Sequence, residues 1–195
     1  QFLFVIASNK NALDPENMPD TGIAAPRKDA ENLHKELTAR QVAYVDLFAL
    51  FDAREEKLYF AHDSHWNSKG AALAADAING AFGNPSQYFS DPFATTVPHQ
   101  GDLYEMLYPA GQDSEQDPVY GGKLNFTYAG AATKPDSITL KTEGGGKGSL
   151  LAYRDSFGNL LYPYLADSYA SACFSRSTRY DLTNPSDFVL IELVE

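Results

Sequence analysis

The segment Ser149-Leu150-Leu151-Ala152-Tyr153, followed by Arg154-Asp155-Ser156-Phe157-Gly158, decides the fold class of this chain. Its first half is a short apolar run after a glycine-rich stretch, which is typical of a strand buried on both faces. Its second half is a turn that leads into a helical pattern. The apolar face of that helix carries Leu160, Leu161, Tyr164 and Leu165. A buried strand that passes through a turn into an amphipathic helix indicates an α/β protein.

The same alternation of strand and helix recurs on both sides of this segment. The predicted elements, in chain order, are a strand at Phe2 to Ala7, a helix at Pro26 to Arg40, a strand at Val42 to Phe48, a helix at Ser68 to Phe82 capped by Asn67 or Ser68, and strands at Ala170 to Phe174 and Phe188 to Val194. About five core strands alternate with helices. This order predicts a doubly wound, mainly parallel sheet with its site beyond the carboxyl ends of the strands.

Residues 84 to 148 interrupt the alternation with several prolines, an acidic stretch from Asp113 to Asp117, and Gly144-Gly145-Gly146. Short antiparallel strands are predicted within them at Lys123 to Tyr128 and Ser137 to Thr142. The acidic stretch is most simply interpreted as a solvated loop. The chain is therefore predicted to be a single α/β domain over residues 1–195, with a small β-rich insertion at about 84–148.

Charge and composition exclude some classes of function. The net charge of −11 argues against binding to nucleic acid or to an anionic membrane, because an acidic surface repels phosphate. No apolar run approaches the roughly 18 residues of a membrane span, so direct membrane insertion by this segment is not expected. The only cysteine, Cys173, is interpreted as a small core residue. Because the chain opens in a core strand, we expect further residues upstream of Gln1, and an extracellular or cell-envelope location would place a signal or anchor segment among them.

The loop His62-Asp63-Ser64-His65-Trp66-Asn67, just before a predicted helix, supplies a carboxylate and an imidazole two residues apart. One ring nitrogen of His65 can be held by Asp63 while the other accepts a proton. Ser156 lies in a strand-to-helix turn, where backbone N–H groups point towards an oxyanion. Ser156, His65 and Asp63 are therefore the candidate nucleophile, base and orienting carboxylate. The simpler alternatives are a helix-capping serine and a surface histidine beside a helix-start aspartate.

Other roles stay open for residues around this loop. Trp66, the only tryptophan, could wall the site or stack on a sugar, or else pack against the following helix. A rival hypothesis takes His62, Asp63 and His65 as metal ligands, because imidazole and carboxylate are suitable donors. Neither His34 nor His99 lies in an evident ligand motif. Asp155 is interpreted as a turn or capping residue.

These residues resemble the SGNH-hydrolase superfamily, and within it the DHHW proteins and the related alginate O-acetyltransferases. Asp63-Ser64-His65-Trp66-Asn67 with Gly70 is similar to the group's Asp-x-His-Trp-Asn pattern, and Asp155-Ser156-Phe157 is similar to its Gly-Asp-Ser-Phe block. Further similarities are Asn9-Lys10, Asp46 at the end of a strand, Gly101-Asp102-Leu103 and the closing Phe188 to Glu195. The serine block follows the Asp/His block, in the reverse of the usual order, which resembles a circularly permuted SGNH sheet.

The resemblance implies that Ser156 is the nucleophile, His65 the general base and Asp63 its orienting carboxylate. It implies acyl transfer, most simply of acetyl, to or from hydroxyls of an extracellular polysaccharide through an acyl-enzyme and without a cofactor. A membrane-bound O-acyltransferase partner and an extracellular or cell-envelope location are expected from the same resemblance.

Arg154 stands where the group usually has a glycine, which makes it a candidate contact for substrate or oxyanion beside Trp66. The family's asparagine donor is expected soon after Glu195. Two alternatives are a carbohydrate acetyl esterase on the same triad and a non-catalytic glycan-binding module. In that module, Trp66 and the tyrosines of residues 84–148 would be stacking platforms.

Overall fold

The computed structural model describes residues 1–13, 15, 27–120, 124–183 and 185–194. Its strands are Phe2–Ala7 (β1), Tyr44–Asp46 (β2), Thr95–His99 (β3), Glu115–Val119 (β4), Phe126–Tyr128 (β5), Thr139–Gly144 (β6), Ser149–Tyr153 (β7), Ser171–Ser175 (β8) and Phe188–Val194 (β9). Its helices are Lys10–Leu13 (α1), Lys28–Ala39 (α2), Leu47–Asp52 (α3), Ser68–Ala81 (α4), Asp102–Leu107 (α5) and Gly158–Ser168 (α6). Pro26, Lys123 and Glu195, at the ends of predicted elements, lie outside the described residues.

A seven-stranded sheet in the order β2-β1-β9-β7-β8-β6-β5 forms the centre of the molecule. The first five strands are parallel, and β6 and β5 continue the sheet antiparallel. The predicted parallel core and its SGNH-like α/β class are confirmed. The two antiparallel strands predicted within residues 84–148 also form, and they extend the main sheet.

The second predicted strand is wrong at its carboxyl end. It stops at Asp46, because the Asp46 Oδ1 atom accepts the Phe48 N–H at 2.9 Å and starts α3. The apolar residues Leu47 and Phe48 are buried as the first turn of a helix. Short apolar segments have similar compositions in strands and in helices. The apolar residues on both sides of Asp46 therefore read as one strand, although Asp46 caps a helix.

Helices cover the sheet so that alternate strand residues are buried on opposite faces. Leu3, Val5 and Ala7 belong to the core on the face of α4 and α6, whereas Ile6 packs with Ala30 and Phe48 on the other. The buried core face of α6 includes Leu161, Tyr164 and Leu165, as predicted, and Leu160 is half-buried beside it. Among the described residues, no helix is both long enough and apolar enough to cross a membrane.

A separate antiparallel ribbon of β3 and β4 lies between α4 and α6 in sequence, and the sequence did not predict it. The interpretation of Asp113 to Asp117 as a solvated loop is wrong from Glu115 onwards, where the chain forms β4, whereas Asp113 and Ser114 are exposed and lie outside any strand. Asp117 is 3% exposed, and its carboxylate accepts the Ser68 N–H at 2.9 Å and the Ser68 hydroxyl at 2.6 Å. The acidic strand β4 therefore holds the first turn of α4.

Candidate active site

The loop that precedes α4 is fixed where it enters the helix. At its carboxyl end, the Asn67 side chain accepts the Lys69 and Gly70 N–H groups at 3.0 Å each and caps α4. Gly70 lies so close to the backbone that a Cβ atom there would be 2.4 Å from the Leu58 carbonyl oxygen. The glycine of the motif is therefore required by packing.

Lys10, just after β1, holds the same loop over the carboxyl end of the sheet. Its Nζ donates to the carbonyl oxygens of Phe60 at 2.6 Å, Ala61 at 3.0 Å and Asp63 at 3.3 Å. An ammonium group is well suited to this role, because its three protons can serve three acceptors. The Asn9-Lys10 pair noted in the sequence thus places the Asp63 segment beside β1.

Three of the predicted site residues meet in one hydrogen-bonded chain. The Asp63 Oδ1 atom lies 2.7 Å from His65 Nδ1, and His65 Nε2 lies 2.8 Å from the Ser156 hydroxyl oxygen. The His65 side chain is 24% exposed, while that of Asp63 is 6% exposed. The imidazole thus joins a buried carboxylate to a hydroxyl at a solvent-accessible edge.

The Asp63 carboxylate is surrounded by hydrogen-bond donors. Oδ1 also accepts the His65 N–H at 2.8 Å, while Oδ2 accepts from His99 Nε2 at 2.8 Å and from the Asp102 N–H at 3.1 Å. Burial alone raises the pKa of Asp63. The hydrogen bonds from His65, His99 and the Asp102 backbone outweigh burial and hold that pKa well below its usual range.

This ionised carboxylate sets the proton affinity of His65. Its hydrogen bond raises the pKa of His65, against the opposing effect of burial, and its charge adds to the rise. The charge of Asp102 also raises the pKa of His65, because its Oδ2 atom lies 3.5 Å from His65 Nδ1. The same Oδ2 atom accepts the Ser64 hydroxyl at 2.5 Å. His65 is thereby made a stronger base than a free imidazole.

The serine lies in the turn between β7 and α6, as predicted. The Asp155 carboxylate fixes this turn, since Oδ1 accepts the Phe157 N–H at 2.8 Å and Oδ2 accepts the Val194 N–H of β9 at 2.7 Å. The interpretation of Asp155 as a turn residue agrees with these bonds. The Phe157 ring packs on His65, with ring centroids 4.9 Å apart.

Two predicted contacts with substrate are wrong. Trp66 is fully buried, and its Nε1–H donates to the Phe157 carbonyl at 3.0 Å, so no ring face is open to a sugar. Arg154 is 5% exposed, and its guanidinium donates to the carbonyl oxygens of Asp155 and Pro135 and to Asn159 Oδ1. Both side chains hold the turn from inside the protein.

Residues that local patterns did not identify complete the site. His99 ends β3, stacks on Phe60 with centroids 3.8 Å apart and supports Asp63 from a position 36 residues away. Glu115 accepts the Ala61 and His62 N–H groups at 2.6 and 2.7 Å. Asp102 was noted only through the resemblance of Gly101-Asp102-Leu103, and His99 and Glu115 have no local signal of function.

The hypothesis of a metal site at His62, Asp63 and His65 does not fit the positions of these side chains. His62 turns away, with its Nδ1 atom 3.2 Å from Asp113. Among the described residues, Asp63, His65 and Asp102 have potential ligand atoms within 4.8 Å of one another. Both Asp63 oxygens already accept N–H groups, however, and both His65 ring nitrogens face protein partners. The donors suit a proton relay better than a metal.

Sequence comparison identifies a family for this chain. Residues 1–137 match the family described as the SGNH hydrolase-like domain of the acetyltransferase AlgX. The chain belongs to this family. The resemblance inferred from the motifs is therefore confirmed, and the matched residues include Asp63 and His65 but end before Ser156. No curated protein matches the chain in sequence.

Solved structures of relatives have the same fold. A DHHW family protein from Eubacterium siraeum has a TM-score of 0.71 at 19% identity, covering 100% of this chain and 77% of its own. Bacillus cereus PatB1 with a sulfonyl adduct scores 0.72 at 18% identity, covering 98% and 79%. The O-acetyltransferase domain of Pseudomonas putida AlgJ scores 0.57 at 16% identity, covering 100% and 74%. At these identities the similarity shows the fold.

Proposed function

We propose that this protein moves an acetyl group to or from hydroxyls of an extracellular polysaccharide, through an acyl-enzyme formed on Ser156. The observation that carries the proposal is the chain of hydrogen bonds from Asp63 through His65 to the Ser156 hydroxyl, at 2.7 and 2.8 Å. Membership of an acetyltransferase family supports the acyl chemistry. The similarity of the motifs to alginate O-acetyltransferases supports a polysaccharide as the acceptor.

In the first half of the reaction, the Ser156 oxygen attacks the carbonyl carbon of the acetyl donor while His65 Nε2 takes the hydroxyl proton. The resulting tetrahedral intermediate collapses as the bond to the leaving group breaks, and His65 gives its proton to that group. Asp63 stays ionised and stabilises the imidazolium that forms in between. The product of this half is an acetyl ester on Ser156.

In the second half, a sugar hydroxyl approaches the ester carbonyl and His65 takes its proton. The new ester bond forms, the bond to Ser156 breaks, and the serine oxygen recovers the proton from His65. Water in place of the sugar gives free acetate, which is the esterase outcome. The 24% exposure of the His65 side chain leaves room for either acceptor.

The turn that carries Ser156 also contributes a donor for the oxyanion. In the described part of the chain, no acceptor takes the Ser156 backbone N–H, whereas the next N–H is bound to Asp155. A free N–H beside the nucleophile, at the start of a helix, is well placed to stabilise negative charge on the substrate oxygen.

We propose the compartment and partner on the same basis. Acetyl transfer to an extracellular glycan requires a donor delivered outside the cytoplasmic membrane, so a membrane-bound O-acyltransferase that exports the acetyl group is the expected partner. The catalytic residues described here need no cofactor, since every proton transfer runs through His65. A chelator should therefore leave the rate unchanged, and inactivation by chelator would favour the metal hypothesis.

The test uses a chromogenic acetyl ester as donor and defined oligosaccharides as acceptors, with products read by mass spectrometry. The wild type should release the chromophore and acetylate the sugar, whereas Ser156→Ala should do neither. Ser171→Ala, an exposed serine on β8, is the matched control and should behave as wild type. Acetate without acetylated sugar would make the protein an esterase. Glycan binding with no turnover in the wild type would overturn the acyl mechanism in favour of a binding module.

A further inference from the structure

Glu192 is an anomaly beneath the nucleophile turn. It lies in the middle of β9, the strand between β1 and β7, and it is 0% exposed. Among the described residues, neither of its carboxylate oxygens has a hydrogen-bond partner, and the Arg154 Nε atom has none either. An ionised carboxylate without a donor in such a place would be very costly.

Water does not resolve the anomaly. Glu192 and Arg154 line one small void with Ala152, Leu161, Phe174 and Leu190, and that void is too small to hold a water molecule. The walls are otherwise apolar, apart from Tyr162, whose hydroxyl is 2.8 Å from that of Tyr128. Glu192 must therefore satisfy its carboxyl group with protein atoms.

The charged group that acts most strongly on Glu192 is Asp155. Asp155 lies next to Glu192, because its carboxylate accepts the N–H of Val194, two residues further along β9. Two neighbouring carboxyls cannot both be ionised at low cost, and the one that accepts more N–H groups keeps its charge. Asp155 accepts the Phe157 and Val194 N–H groups, so the proton belongs on Glu192. Burial, together with the Asp155 charge, raises the pKa of Glu192 far above its usual range, although Arg154 opposes this.

We propose that Glu192 is a neutral carboxylic acid whose proton holds the Asp155 carboxylate, which makes it a positioning residue for Ser156. Asp155 is bonded to the turn on one side and to β9 on the other, so a donor from Glu192 adds a third restraint to the same carboxylate. Loss of that proton would place two negative charges side by side and displace the turn. The proposed acyl-transfer function is needed only for the catalytic part of this inference.

Activity tests the positioning role. Glu192→Leu removes the donor at similar volume and should lower kcat about 10- to 100-fold with little change in KM, because the serine is displaced. Glu192→Gln keeps a donor and should recover most of kcat. It should also lack any fall in kcat that loss of the Glu192 proton causes in the wild type at alkaline pH. The control is Glu143→Leu, on an exposed position of β6. A kcat of Glu192→Leu equal to that of the wild type would overturn the positioning role.

Two measurements test the proton without any turnover. The infrared difference spectrum of wild type minus Glu192→Gln at pH 7 should show the C=O band of a protonated carboxyl. A neutral Glu192 keeps its proton in the folded protein and releases it on unfolding. Above about pH 4.5 the wild type should therefore become less stable as the pH rises. Its unfolding constant should increase by up to tenfold per pH unit relative to that of Glu192→Gln. No band and no pH-dependent difference would show that Glu192 is ionised. An inactive wild type that shows both would reject the proposed function and keep the neutral acid.

Discussion

The two segments that meet at Ser156 and His65 are built in opposite ways. The serine turn is partly buried, and its own residues Asp155 and Arg154 bond it to α6 and to the adjoining end of β9. The Asp63 loop is half-exposed and held by side chains from remote parts of the chain, including Lys10, His99 and Glu115. The position of Ser156, the proposed nucleophile, depends on strand-to-helix geometry, whereas that of His65, the proposed base, depends on polar contacts that only the folded chain brings together.

Trp66 connects the two segments. Its indole N–H donates to the Phe157 carbonyl, and its ring meets that of Phe157 edge-on at 5.1 Å. Trp66 belongs to the loop of the base and Phe157 directly follows the nucleophile. The tryptophan of the motif therefore fixes the distance between base and nucleophile, which explains its complete burial.

The same substitution in the two segments should have very different effects. Asp63→Asn should lower kcat about 10⁴-fold without unfolding the protein, because the amide no longer orients and charges the His65 imidazole. Asp155→Asn should cost about tenfold, because it weakens a turn that neighbouring packing still supports. Steady-state kinetics with an acetyl ester, together with thermal unfolding of both variants, make the comparison. Equal losses would contradict the distinct roles assigned to the two carboxylates.

The acid limb of the pH profile should report the base segment alone. His65 must be neutral to accept the serine proton, and Asp63 raises its pKa above the ordinary value of about 6.5. The value of kcat/KM should therefore fall about tenfold per pH unit on the acid side of a midpoint above 6.5. In Asp63→Asn the residual activity should show a lower midpoint. An unchanged midpoint would mean that another group sets the acid limb.

His99 offers a smaller and more specific test. His99→Leu removes one of the donors to Asp63 Oδ2, and kcat should fall about tenfold while the fold is kept. His34→Leu is the matched control, because His34 lies in α2, stacks on Tyr44 and has no hydrogen bond to Asp63. We expect its kinetics to match the wild type. Equal activity in both variants would show that the remaining donors suffice.

The smallest effect is expected from the acidic strand. The two carboxylate oxygens of Glu115 accept the N–H groups of Ala61 and His62. Glu115→Gln replaces one of these oxygens with an NH2 group, which would face a backbone N–H, and should lower the free energy of unfolding by about 1–2 kcal/mol. The melting temperature should fall by about 2–4 °C for each kcal/mol. Glu56→Gln, at an exposed position, should leave it unchanged. A melting temperature unaffected by Glu115→Gln would show that the ribbon does not hold the loop.

The same division decides what the sequence could predict. The serine turn follows from a strand-to-helix pattern over ten residues, and the Asp63-His65 pair from a spacing of two. Glu115 and His99 act on groups tens of residues away, and polar residues with remote partners show no periodicity. Trp66 and Arg154 were wrongly predicted to contact substrate. A large side chain with a polar tip suits a substrate contact and internal packing equally well, so the residue type alone does not distinguish the two. Only tertiary contacts separate these roles.

The most direct test of the account is a search for the acyl-enzyme. Wild type and Ser156→Ala would be mixed with a chromogenic acetyl ester, quenched in acid within the first turnover, and examined by intact mass and peptide mapping. The account predicts one added acetyl group in the wild type, located on Ser156, and none in Ser156→Ala. Turnover that persists in Ser156→Ala, or an acetyl group on any other residue, would contradict it.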